Sequence, residues 1–129
     1  MSTSECVTNG ICVDVEARYS QEHSAPERSH WFFLYTITIS NHSDQPAQIL
    51  SRHWIITDAT GKQEEVRGPG VVGEQPVLEP GEAFQYTSGC PLATPFGSME
   101  GSYEMVLEDE SQFRARIARF ELVEPTAIH

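Results

Sequence analysis

The sequence predicts an all-β protein, an antiparallel sandwich or barrel. Apolar and polar residues alternate through most of the chain, and no stretch repeats apolar residues at i, i+3, i+4 and i+7 over a helix's length. Turn clusters such as "NHSDQP", "DATGKQ" and "EDES" divide the chain into six to eight short pieces. Many short strands with regular turns belong to sandwiches and barrels.

The strands follow in order. Ile11, Val13, Val15, Ala17 and Tyr19 share one face, with Cys12, Asp14, Glu16 and Arg18 on the other. "WFFLYTITIS" follows, with Phe33, Tyr35, Ile37 and Ile39 on one side; its β-branched and aromatic content predicts the central strand. "AQILSRHWIITD" is the third strand, and Gly61 in "DATGKQ" turns the chain into a short strand from Lys62 to Val66. "AFQYTS", "GSYEMVLE" and "SQFRARIARFEL" complete the set. Residues 1–5 and 124–129 read as frayed tails of a single domain, residues 1–129.

Two connections, residues 66–82 and 88–101, are unusually long. Loops of that length are functional or disordered, and Val71, Val72, Leu92 and Phe96 argue against disorder. The first contains Gly68, Gly70 and Gly73 in the GxGxxG spacing of dinucleotide sites. That fingerprint works only where a helix follows to hold the pyrophosphate. Here Pro80 and Gly81 stop any helix within about one turn, and no acid stands about 20 residues on to meet a ribose. No Gly-Lys-Ser/Thr supports a P-loop either.

Pro80 and Gly81 instead suit the centre of a type II turn. If it closes a hairpin, Val77 faces Phe84, Gln75 faces Tyr86 and Gly73 faces Ser88. "GPGVVG" then lies beside "SGCP". Arg67, Gly68, Gly70, Val71, Val72 and Gly73 would form one ligand- or partner-binding surface with Thr87, Ser88, Gly89 and Cys90. Glycine-rich amides, hydroxyls and an arginine also suit a small anion without a helix.

Composition narrows the function. The net charge is −11, with 19 acids against 8 bases and one lysine, Lys62. Nucleic acid is excluded as a direct partner, because phosphate binding needs clustered cations. No apolar run is long enough for a membrane helix, and the first residues do not resemble a secretory signal, so the expected location is the cytoplasm. Cys6, Cys12 and Cys90 are expected as free thiols. Cys90 is the most exposed nucleophile candidate, but no base accompanies it, and no catalytic residue is assigned. His53 reads as a strand residue at the core's edge, not a metal ligand; no metal site or cofactor is assigned. The acids 108–110 read as a solvated turn, and Arg114 and Arg116 as partners of acids on a neighbouring strand.

Residues 66–106, "VRGPGVVGEQPVLEPGEAFQYTSGCPLATPFGSMEGSYEMV", closely resemble the signature of the ApaG family, supported by "SRHWIITDATG" and "FRARIARFEL". The resemblance implies an immunoglobulin- or fibronectin type III-like β-sandwich, here of about seven to eight strands. Related domains in eukaryotic F-box proteins and in a polymerase-delta-interacting protein resemble protein-binding modules. Bacterial members are associated with cobalt and magnesium tolerance or efflux, which for a chain without a span would be an indirect role. The expectation is therefore a non-enzymatic domain binding an unidentified protein, as a monomer or homodimer. The alternative is a sensor of phosphate or pyrophosphate, with or without a divalent ion.

Overall fold

The structure, a computed structural model, describes residues 1–126. Nine strands are present among them: β1 (Ser2–Thr8), β2 (Ile11–Tyr19), β3 (Trp31–Asn41), β4 (Ala47–Asp58), β5 (Gln63–Pro69), β6 (Val77–Leu78), β7 (Ala83–Leu92), β8 (Phe96–Leu107) and β9 (Gln112–Val123). They form two antiparallel sheets, β1-β2-β3-β7 and β5-β4-β8-β9, with β6 also paired to β4. The expected β-sandwich is what the alternation produces. Val13, Val15, Phe33, Ile37 and Ile39 from the first sheet are sealed against Ile49, Trp54, Tyr103, Met105, Ile117 and Phe120 from the second. Tyr35 makes edge contact with Trp54, ring centroids 5.3 Å apart, and packs with Phe120 at 6.2 Å. Such pairs add about 1 kcal/mol beyond burial.

Three expectations change. Residues 1–5 are not frayed; Ser2–Thr8 pairs along its length with β2. The joint is Asn9-Gly10, with φ of 48° and 81°, the doubly left-handed pair that a two-residue hairpin turn demands. At the other end, the Glu124 N–H donates to the Pro95 carbonyl at 3.0 Å; residues 127–129 lie outside the described residues.

Second, strands reach into both long connections. Residues 63–69 are β5, 77–78 are β6, and 88–101 divide between β7 and β8. What remains of the first is the loop 70–76 and the turn 79–82. β5 and β6 are two pieces of one edge, both paired to β4, with that loop as an excursion between them.

Third, the turn at Pro80-Gly81 exists but closes no hairpin. The Glu82 N–H donates to the Glu79 carbonyl at 2.9 Å and Gly81 has φ 88°. Its arms part, however: Leu78 pairs with Ala47 in the second sheet, while Ala83 pairs with Ser40 in the first. Buried Asn41 holds the divergence. Its amide nitrogen donates to the carbonyls of Leu78 and Gln45, 2.8 and 2.9 Å away. Gly73 therefore does not face Ser88 on a paired strand.

Candidate functional site

The glycine loop is built onto a bulge. Between Ile49 and Ser51 the β4–β8 register shifts, leaving Leu50 extra. The freed Leu50 carbonyl accepts from the Gly70 N–H at 2.7 Å and from the Gln75 side-chain amide at 2.9 Å. Arg52 ties down the other side. Its Nη1 donates to the carbonyls of Pro69 and Gly70, both at 3.0 Å. Its guanidinium lies where a Gly68 Cβ would come within about 3.0 Å, so Gly68 makes room for the arginine.

Each remaining residue of the motif has a local role. At Gly70, with φ 59°, a Cβ would collide with the Glu74 carbonyl oxygen. Val71 is fully buried and anchors the loop in the core, which corrects its expected place on the surface. Val71 and Glu74 exchange backbone hydrogen bonds of 2.8 and 2.9 Å, leaving Val72 and Gly73 at the tip. Their φ values are 41° and 82°. Gly73 suits that conformation, whereas Val72 is a β-branched residue in the left-handed region, where such residues are outliers. Val72 is also 56% exposed.

Next to the loop lies an open cleft of about 650 Å³ on the outer face of the second sheet. Leu50, His53, Arg67, Pro69, Ser102 and Arg114 are among the residues lining it. Each of its arginines is engaged, Arg52 by backbone carbonyls and the other two by acids. His53 Nε2 lies 2.7 Å from Glu65, which also accepts from Arg67 at 3.3 Å; Arg114 reaches Glu104 at 3.4 Å. The hydrogen bond from His53, then that from Arg67, holds the Glu65 carboxyl below its ordinary range. Arg114 thus meets an acid on the neighbouring strand, as the sequence suggested. His53 is a half-buried residue of this outer face.

The second half of the predicted surface behaves differently. Thr87, Ser88, Gly89 and Cys90 lie on β7, paired with Thr36, Tyr35, Leu34 and Phe33. The Thr87 and Thr36 hydroxyls hydrogen-bond at 2.8 Å, and the Phe32 ring occupies the space beside Gly89. Cys90 is buried, not exposed. Burial, then the negative charge of Glu64, pushes its thiol up to about 12, so it stays protonated and a poor nucleophile at neutral pH. Burial also raises Tyr35, opposed by its hydrogen bond with Ser88, and raises Tyr86, whose hydroxyl bonds that of Tyr103. The bulge at Leu50, the Arg52 clamp and the strained Val72 were not anticipated from the sequence. Only the double Val before Gly73, an unusual choice at a turn, hinted at the last.

Glu5, Cys12 and Asp14 form the one grouping of three metal-ligand side chains among the described residues. Burial and Asp14 push the Cys12 thiol up to about 11, which opposes the thiolate a metal would need. All three cysteines are free thiols. No helix among the described residues is long and apolar enough to cross a membrane.

The ApaG domain family matches residues 21–107. Protein ApaG of Pseudomonas aeruginosa is 55% identical over 119 residues, covering 92% of this chain and 94% of that protein. The chain belongs to the ApaG family. Protein ApaG of Acidithiobacillus ferrooxidans is 53% identical over 119 residues, with the same coverage. The crystal structure of an ApaA protein from Bordetella pertussis superposes with a TM-score of 0.88 at 50% identity, covering 91% of this chain and 95% of that one. The loop just described lies within the matched ApaG domain.

Proposed function

We propose that this protein is a non-enzymatic recognition domain that binds another protein through the Val72 turn and the cleft beside it. The carrying observation is Val72: a β-branched side chain held exposed at φ 41°, on a loop clamped by Arg52, Leu50 and buried Val71. Strain kept at an exposed tip by an over-determined support is the pattern of a binding site. Apolar contact would come from Val72, and Glu65 with its partners Arg67 and His53, together with the Arg114–Glu104 pair, supplies a polar rim. The small-anion alternative is less well supported. Three amides that a nest would use, those of Gly70, Val71 and Glu74, are already donated within the protein. An indirect part in cobalt or magnesium tolerance is compatible with this reading and adds no site to it.

Val72→Asn separates function from stability. Asparagine tolerates the left-handed region better, so the variant should be more stable by about 1 kcal/mol. It should also recover fewer partners in affinity capture from lysate. Unchanged stability together with an unchanged set of captured proteins would defeat the assignment.

A further inference from the structure

Among the described residues no strand pairs the outer edge of β7, which lies away from the loop. The Asn41 N–H donates to the Glu82 carbonyl at 2.9 Å. With the antiparallel register, this sets which residues of β7 bond to β3: the even-numbered ones. The N–H groups of Ala83, Gln85, Thr87 and Gly89 therefore point away from the sheet. Pro91, at the next outward position, has no N–H to leave unpaired.

Exposed edges are normally shielded by charge, shortness or cover. β5 carries Glu64, Glu65 and Arg67 and ends on Pro69. β1 and β9 close on each other: the Ser4 hydroxyl donates to the Ala118 carbonyl at 2.9 Å, and the Arg116 N–H to the Thr8 hydroxyl at 3.2 Å. β7 is ten residues long, "AFQYTSGCPL", without one charged side chain in a chain of net charge −11.

The place beside β7 is also vacant in the opposite layer. β5 buries no residue. Val66 pairs with Trp54, whose side chain points into the sandwich, so Val66 and Glu64 face the same way, yet Val66 is 38% exposed. From β7, Tyr86 reaches Tyr103 on β8, and Cys90 and Leu92 are buried, so the first sheet stops short of β5. A small groove of about 100 Å³ already separates Pro91 and Leu92 from Ile56, Asp58, Lys62 and Glu64, two acids against one base.

We propose that the β7 edge accepts an extended segment of a partner protein as a fifth strand of the first sheet, over the inward face of β5. Adding a strand this way supplies main-chain hydrogen bonds for affinity and side-chain alternation for selectivity. Alternate residues of the segment meet Val66 and Glu64, which calls for apolar and basic side chains. A second copy of this acidic chain would bring like charge to the same groove; a basic segment is attracted to it.

The probe is the blocked nonapeptide Thr-Lys-Thr-Val-Thr-Lys-Thr-Val-Thr, whose Lys and Val alternate along one face, with a control carrying Glu at each Lys. Amide exchange is read by NMR on the intact protein. The lysine peptide should slow exchange at least tenfold at Gln85, Thr87 and Gly89 and leave Tyr86 and Ser88 unchanged. The glutamate peptide should bind at least tenfold more weakly. Thr87→Pro, which removes an outward N–H, should abolish the protection. If that variant misfolds, Val66→Arg on the other sheet should still weaken the lysine peptide at least tenfold. Equal binding of both peptides, protection on β5 or nowhere, or concentration-dependent protection without peptide in a sedimenting dimer would each overturn the proposal. Val72→Asn should leave peptide binding intact, so failure here is separable from failure of the turn assignment.

Discussion

At the residue scale, the three glycines of the motif are not equivalent. Gly70 is required twice, by its positive φ and by the Glu74 carbonyl beside it; Gly73 is required by φ alone, with open space around it. Gly73→Ala should therefore cost about 1 kcal/mol, the ordinary cost of a side chain in the left-handed region. Gly70→Ala should cost at least ~3 kcal/mol, since the loop must also move. Urea denaturation of both variants compares the two, and equal costs would remove the packing explanation. The sequence showed that these glycines serve no Rossmann site, because prolines stand where a helix must start. It could not show which glycine meets backbone, since Glu74 turns its carbonyl back only in the folded loop. Cys90 was misjudged for the same reason: the odd-even face of β7 that buries it is set by pairing with β3.

At the element scale, strands with clean alternation were legible, and those without it were not. β2 and β3 bury one face and leave most of the other half-buried or exposed, so Val13 through Ala17 and Phe33 through Ile39 could be placed directly. β1 has no buried residue, and its "STSECVT" shows no apolar face; only Asn9-Gly10 marks it as half of a hairpin. The turn at Pro80-Gly81 was legible as a turn, but not the parting of its arms, which depends on the distant Asn41. The loop 70–76 depends likewise on a distant residue. Arg52 donates charged hydrogen bonds to the Pro69 and Gly70 carbonyls at its start, and partly exposed bonds of this kind contribute about 1.5 kcal/mol each. Arg52→Met keeps the length and removes the donors. It should lower stability by about 2–3 kcal/mol and speed amide exchange at Val71 and Glu74, with β2 and β3 less affected. Uniform loosening of all strands would show that the clamp is not local.

At the scale of the whole molecule, the protein is a two-layer scaffold with its chemistry at the edges. The second sheet carries the clamped loop and the charged cleft, and the first carries an uncharged strand whose outer edge no other described strand pairs. Titratable groups inside the sandwich, Tyr103 and Cys90 among them, are held in their neutral forms by burial. Reactive capacity is thereby withdrawn from the core, and the strain sits in an exposed tip. The central claim is that this tip is a contact point, and site-specific photo-crosslinking in living cells addresses it most directly. A photoreactive residue in place of Val72 should yield a discrete adduct with another protein, while the same residue in place of exposed Gln63 should yield none. No adduct from position 72, or the same adducts from both positions, would contradict the account.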